Sequence, residues 1–450
     1  MGVPPTANAF NGISQLAPIF TTEGLARIGE DGRPVPSLAE GWTVGVGGLS
    51  IKVRLRAGAK FHDGTPASAG LVAEALEQVL PRYMGPAFDD IGGISAIDSA
   101  NIEIQFKRAS PFLLEALDAP IEKPGSPGIG TGPYKGAGVS APNELRANSD
   151  YYLGRPAIDR IVVNAYPSVR LAWAEMLRDR SDMVYDVGVD ALDSLTSSRN
   201  VSVFTYIRHY QYVLAFNTSS PQLRRREVRA ALNLAIDRDA LVKDAFDGHA
   251  LASSALIWPQ HWAIGPTLSR FSFDPRRAAQ TLGASGRPVR FNCLVIPGLE
   301  RLALVVKRQL EGVGVEMSVE EASFDALSHV VAKRDFDTVL LDYVSGPSLF
   351  RPYEVWHSGG LINPGGLGSP EVDAAFDLVR YATTDEEYRT AVQTLQKTVV
   401  EDPPALFLAW GERARAVSRR FDVAAEPGRD ILTTFRLWRP TSGLESVKLN

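Results

Sequence analysis

Cysteine is almost absent from this chain. Its 450 residues contain one, Cys293. A single cysteine excludes an internal disulfide and every zinc site built on paired thiols. Its place in the run Val289–Ile296 predicts a buried, inert thiol. Histidine is nearly as scarce, at six: His62, His209, His249, His261, His329 and His357. None falls in HExxH or HxH, which removes the familiar zinc-hydrolase signatures. No window approaches the ~18 uninterrupted apolar residues that a membrane-crossing helix needs. No leader of charged then apolar residues is visible at the start. Basic residues form no block longer than Leu223–Glu227 (LRRRE), which reads as a solvated helix start, and net charge is −5. Nucleic-acid binding is therefore not expected.

Catalytic signatures are missing as well. The triplet Gly130-Thr131-Gly132 lacks the GxxxxGK[ST] frame of a phosphate loop and reads as a structural turn. No GxSxG elbow occurs. The carboxylate pairs Asp89-Asp90 and Glu320-Glu321 read as solvated faces rather than acid–base dyads. The chain is not expected to be an enzyme, and no cofactor or metal is expected.

What remains is an ordinary globular composition, 45% hydrophobic and 22% charged. The length allows about three domains of ~150 residues. No repeat of ~20–50 residues is present, so solenoids and propellers are excluded. Strand and helix patterns alternate irregularly, as in an α/β chain. Leu49, Ile51, Val53 and Leu55 alternate as a strand. Leu71, Val72, Ala75, Leu76 and Val79 have helical spacing, and Ile102–Phe106 alternates again. Helices are also predicted over Ser168–Asp179, Arg226–Val242, Leu302–Leu310 and Asp385–Val400. Strands are predicted over Ile158–Tyr166, Tyr212–Thr218, Phe291–Ile296, Thr338–Leu341 and Ala405–Leu408. Ala119–Gly132, rich in Pro and Gly, reads as an exposed linker.

The order of several phrases is more specific than any one of them. Pro36–Leu80 carries PSLAEGW, an alternating strand, and AKFHDGTP before a helix. GTGPY follows at Gly130–Tyr134, NSDYYLGRP at Asn148–Pro156, DMVYD at Asp182–Asp186 and EVRAALNLAIDRDALV at Glu227–Val242. This succession resembles the family 5 extracellular solute-binding proteins, the peptide- and nickel-binding receptors of ABC importers. The resemblance implies an α/β, three-lobed fold of the periplasmic-binding-protein type II (dipeptide/oligopeptide receptor) kind, with discontinuous lobes. Carried over by position, lobe I takes residues 1–23, 126–220 and 409–450, lobe II takes 24–125, and lobe III takes 221–408. It implies capture of a peptide or peptide-sized solute between lobes I and III by hinge closure. An ABC permease with separate ATPase subunits would be the partner, and the receptor a monomer. It also implies a periplasmic or surface-anchored location, with an export signal expected outside this chain. The opening Met1–Pro5 resembles the tail of a longer first strand.

The same resemblance supplies candidate ligand contacts. In peptide-binding relatives a lobe III strand pairs with the peptide backbone, and an aspartate after it holds the α-amino group. Here Phe336–Ser348 reads FDTVLLDYVSGPS. Aligned without gaps, Tyr343 stands at a family tryptophan and Gly346 at the aspartate. Asp342 lies four residues earlier, about 13 Å along an extended strand. Either the solute lacks a free amino end, or a local slip lets Asp342-Tyr343 take over. Asp342, Tyr343, Val344 and Gly346 are therefore candidates. Arg351 is the candidate clamp for a carboxylate or phosphate. Tyr353 and Trp356 fit a cleft wall and a lobe III core equally well. Trp258, Tyr83, Asn11 and Gly12 are carried over by approximate position. A non-peptide solute (oligosaccharide, opine or metal chelate) and a sensor without transport stand as alternatives. His62, in the FHDGTP loop, is expected to hydrogen-bond in a turn.

Overall fold

The computed structural model describes residues 2–3, 16–138, 140–188, 198–284 and 288–441. Two sheets organise it. The smaller is antiparallel, built from β1 (Ala39–Val44), β2 (Ser50–Leu55), β3 (Ile91–Ala96) and β4 (Asn101–Phe106) in the order β1-β2-β4-β3. Alternation sends Ile51, Val53, Ile102 and Ile104 to one face, where each is almost fully buried. Helix α1 (Ala69–Met84) covers that face with Val72, Leu76 and Leu80. Fully burying one such side chain contributes ~1.5–3 kcal/mol.

The larger sheet has nine strands among the described residues. Its principal members are β5 (Met183–Val187), β6 (Val201–Phe216), β7 (Arg290–Val295), β8 (Glu316–Glu321), β9 (Thr338–Val344) and β10 (Ala405–Ser418). The order runs β5-β10-β6-β9-β7-β8, and Gly2–Val3 and Asn164–Ala165 extend it beyond β5. Strands β7, β8 and β9 pair in parallel, whereas β5, β6, β9 and β10 meet antiparallel. Helices α2 (Arg226–Leu234), α3 (Arg238–Phe246) and α4 (Glu300–Glu311) lie over the β7–β9 end. Their apolar faces share a core with Leu214, Cys293 and Leu340. Cys293 is fully buried and its thiol is pushed up to about 12 by desolvation, so it is inert.

A separate core gathers Leu16, Phe20, Tyr134, Leu145, Ile161, Met183 and Phe435 at the β5 end. The small sheet does not keep a core of its own. Its apolar face runs continuously into Val339, Phe350, Tyr353, Trp356 and Phe407 of the β9 half.

Several sequence expectations needed correction. The helix expected over Arg226–Val242 is two helices, because the Asp237 carboxylate accepts the Ala240 N–H at 3.0 Å and starts a new one. Ala119–Gly132 is exposed in its middle, where Glu122, Gly125, Pro127 and Gly128 face solvent, but its ends pack inward. Ala119, Ile121 and Thr131 are fully buried, and Ile121 bridges to Glu23. Asp89-Asp90 is not wholly solvated, since Asp90 pairs with Arg380 at 2.5 Å. The strand expected over Ala405–Leu408 continues to Ser418, and that over Tyr212–Thr218 begins at Val201.

Candidate functional site

Those two over-long strands matter most. β6 and β10 run from the β5 end of the large sheet into its β9 end and pair with each other along the way. Their register shifts between Ile207 and Gln211, where three residues of β6 face one of β10, and again between Tyr212 and Val213. Extra residues in one strand bend and twist a ladder locally. The residue opposite the bulge is Gly411. A Cβ there would stand 2.8 Å from the Tyr212 ring, so glycine is what lets the strands stay close. The crossing is thus irregular by construction while both ends are regular.

Polar side chains gather at this bend. β9 pairs with β6 so that Tyr212 faces Asp342 and Tyr210 faces Val344. Pairing is regular from Thr338 to Val344, which fixes Asp342 and Val344 on one face and Tyr343 on the other. The Arg208 guanidinium bonds Asp342 at 3.1 Å and lies 3.3 Å over the Tyr210 ring. Val344 remains 39% exposed at the strand end. From β10, Arg413 donates to the Tyr212 hydroxyl at 3.2 Å. Its Nε is shielded from solvent without an acceptor, and so is Oδ1 of Asp186 on β5 without a donor. Burial works against the Arg413 charge, but Tyr212, Asp186, Asp342 and Tyr206 outweigh it and keep the guanidinium protonated. Burial also raises the Tyr212 phenol, so it stays a neutral donor and acceptor. Beside this group, Arg415 is fully paired with Asp430 at 2.6 Å and stacks on Tyr185. The arrangement offers charges, stacking rings and an exposed strand end, which suits recognition of a charged, extended solute.

The other sequence candidates lie elsewhere. Tyr343 is buried. It donates to Gln211 Oε1 at 3.1 Å and accepts from Trp356 Nε1 at 2.8 Å, while Gln211 donates to Ser253 Oγ at 2.6 Å. Trp356, at 1% exposure, belongs to that interior network, not to a loop. Phe350–Trp356 is a short helix whose apolar residues face inward. Tyr353 is equally buried and accepts from Arg380 at 2.5 Å. Gly346 precedes a cis proline, and a Cβ on it would meet Trp258 at 2.9 Å. An acid at that position has no room. Trp258 is itself buried and donates to the Glu30 carbonyl at 2.8 Å.

Tyr83 and Arg351 sit where the small sheet joins the β9 half. Arg351 lies 4.7 Å over the Tyr83 ring, and Tyr83 donates to Asp118 at 3.4 Å. Burial raises Glu115 to about 8 and Asp118 to about 6, with Arg351 partly offsetting both. Arg351 therefore already has carboxylates to serve within the protein. Asn11 and Gly12 lie outside the described residues. His62 Nε2 donates to the Gly132 carbonyl, 3.1 Å away, in a turn. No group of three potential metal ligands occurs among the described residues. Sequence reasoning missed Asp186, Arg208, Tyr210 and Arg413. Their signal was charge inside apolar strands: Arg208 within Tyr206–Tyr210, and Arg413 beside Arg415.

A mixed α/β body whose two halves are joined by two long paired strands is the architecture of the periplasmic binding proteins. Residues 33–358 match bacterial extracellular solute-binding proteins, family 5 Middle, and the chain belongs to that family. It is 23% identical over 458 residues to oligopeptide-binding protein AppA of Bacillus subtilis, covering 89% of this chain and 83% of that one. The structure of AppA in complex with a nonapeptide superposes with a TM-score of 0.80 at 20% identity, over 98% and 99% of the two chains. NikZ of Campylobacter jejuni, in complex with Ni(L-His), gives 0.82 at 20% identity over 97% and 98%. Glutathione-binding protein GsiB of Salmonella typhimurium is 24% identical over 334 residues, 68% of this chain and 65% of that one. Members of this family bind a peptide or small ligand and work with an ABC permease. They are periplasmic or surface-anchored. No described helix is long and apolar enough to cross a membrane.

Proposed function

We propose that this chain captures a peptide or peptide-sized solute where β6 and β10 cross, closes around it, and delivers it to an ABC permease outside the cytoplasm. The supporting observation is the bent, polar crossing between two regularly packed halves. In this reading lobe I comprises 1–23, 126–220 and 409–450, lobe II 24–125 and lobe III 221–408. Strand β9 pairs with β6 through Val344, but its pairing with β7 stops at Leu340, and that second edge of the exposed strand end would take an extended backbone. Names among the relatives, from oligopeptide to glutathione, fit such a solute.

Closure follows from differential affinity. A ligand that binds both states equally shifts nothing, and moving a 1:99 population to 99:1 takes ~5.5 kcal/mol of preference for the closed form. The bulges at Ile207–Gln211 supply the compliant segment, because the pairs lost there are few. The reading is tested by small-angle scattering and thermal melting with a panel of peptides, sugars, opines and metal chelates. A binder present at 100 times its dissociation constant stabilises by ~2.7 kcal/mol. A panel that neither compacts nor stabilises the protein would sink the receptor reading.

A further inference from the structure

Away from the crossing, a cavity of about 220 Å³ opens between the small sheet and the helix Asp385–Glu401. Its walls are mostly apolar, with Ile51 and Phe106 from the small sheet and Trp262 and Ala382 among the residues opposite. Arg33 and Asp385, both about half exposed, pair at 2.6 Å at its rim, and Arg33 lies 4.0 Å over the Trp262 ring. The rim therefore adds no net charge.

Two polar groups of the lining are not satisfied by the protein. Tyr388 is 5% exposed and stacks on Trp262, and its hydroxyl makes no hydrogen bond to a described residue. Glu115 is 7% exposed. Ser348 Oγ and the Phe350 N–H both donate to its Oε2, and no described group bonds its Oε1. Neither Oε1 nor the Tyr388 hydroxyl is sealed off, and the cavity is the space that both residues border. Burial raises the Glu115 carboxyl to about 8, so it keeps its proton at neutral pH. Oε2 already accepts twice, which places that proton on Oε1. Burial also keeps Tyr388 a neutral phenol. The cavity thus offers two uncharged O–H donors in apolar walls, and buried donors are rarely left without an acceptor.

We propose that this cavity is a second ligand site, apart from the crossing, which takes a small uncharged ring compound whose carbonyl oxygen accepts from Glu115 and Tyr388. A carbonyl oxygen has two lone pairs for two donors. The volume suits a single ring, since an apolar cavity of ~150 Å³ is enough for benzene. A ligand there would bridge the small sheet and the helix Asp385–Glu401, whatever solute the crossing holds.

The test titrates the full chain at pH 6 (roughly two below the Glu115 midpoint) with acetophenone, read by calorimetry and ligand-observed NMR. Cumene supplies the shape without the acceptor, and benzoate and benzylamine supply a charge. Acetophenone should bind, and cumene should bind roughly 10-fold more weakly or worse, having lost two hydrogen bonds. Both ions should be weaker than acetophenone, because the apolar walls would desolvate their charge. Tyr388→Phe should melt as wild type does, since its hydroxyl has no partner to lose, and should bind acetophenone roughly 3- to 10-fold more weakly. At pH 9 Glu115 ionises and its donor is gone, so wild type should lose affinity for acetophenone. Glu115→Gln, whose amide still donates, should hold its affinity from pH 6 to pH 9. Equal binding of cumene and acetophenone would make the cavity merely apolar and overturn the proposal. Tighter binding of benzylamine would make it an amine site and overturn it too. So would a Tyr388→Phe that binds as wild type does or melts well below it. A cavity that takes none of the probes holds only water, and the proposal fails outright.

Discussion

Glu115 carries a stability signal that a single substitution isolates. It sits buried at the seam between the small sheet and the β9 half. Ser348 Oγ and the Phe350 N–H, the latter at 3.3 Å, both donate to its Oε2. Desolvation raises its carboxyl from 4.5 to about 8, and Ser348, Phe350 and Arg351 offset only part of that. A raised carboxyl is protonated when folded at a pH where the unfolded chain has ionised. Its contribution is therefore fully present below about 4.5 and is lost as pH rises toward 8. Each pH step of one in that window removes ~1.4 kcal/mol. Local relaxation and water entry trim the total, so ~2–4 kcal/mol is expected across it. Glu115→Gln keeps a carbonyl oxygen for Ser348 and Phe350 and cannot ionise. Urea unfolding of both proteins at pH 5 and pH 9 gives the answer. The two should be nearly equal in stability at pH 5, and the variant more stable by ~2–4 kcal/mol at pH 9. Asp118, also raised, is present in both proteins and cancels from the difference. A stability difference that does not change with pH would refute the assignment.

Other substitutions separate seam from site. Arg351→Ala removes a cation stacked on Tyr83 and beside Asp118. It should lower unfolding free energy by ~1–2 kcal/mol without changing ligand affinity in a titration; a large affinity loss would return Arg351 to the site. Tyr343→Phe strands Gln211 Oε1 and Trp356 Nε1 in the interior. A loss of ~2–3 kcal/mol in chemical denaturation is expected, and a neutral result would show the network dispensable. Gly346→Ala forces a methyl to 2.9 Å from Trp258. It should cost ~1–3 kcal/mol, and Gly346→Asp more, with no new affinity for amino-terminal ammonium groups. Calorimetry showing a tightened amine-bearing ligand with Gly346→Asp would contradict this placement.

Much of the fold could be read from local pattern. Ile51-Val53-Leu55 and Ile102-Ile104 alternate in sequence, and both form strands with those residues buried. Helices at Leu302–Leu310 and Asp385–Val400 were likewise found nearly in place. Misses occurred where a distant contact overrode composition. The Pro- and Gly-rich Ala119–Gly132 is exposed in its middle as expected, but its ends pack into the interior. Trp356 and Tyr353 fitted a cleft wall and a core equally well, and a seven-residue helix turns both inward. A hydrophobic aromatic next to glycines is compatible with either outcome until its packing partners are known.

The succession of phrases from PSLAEGW to DRDALV determined the family, because each specifies a local turn, strand or helix and their order is rarely repeated by chance. Register also lay in the sequence once β9 was known to be a strand, since alternation separates Asp342 and Val344 from Tyr343. The proposed recognition face was another matter. Arg208 and Arg413 are 205 positions apart in numbering, and neither belongs to a recognisable motif. Only the antiparallel crossing of β6 and β10, bent where Gly411 lets Tyr212 approach, brings them to one place. Whether a charged side chain is paired depends on which distant group the fold delivers to it. Tertiary structure alone gave Arg351 its partners and set Asp186 and Asp342 near Arg413, with no carboxylate within ion-pair distance of it among the described residues.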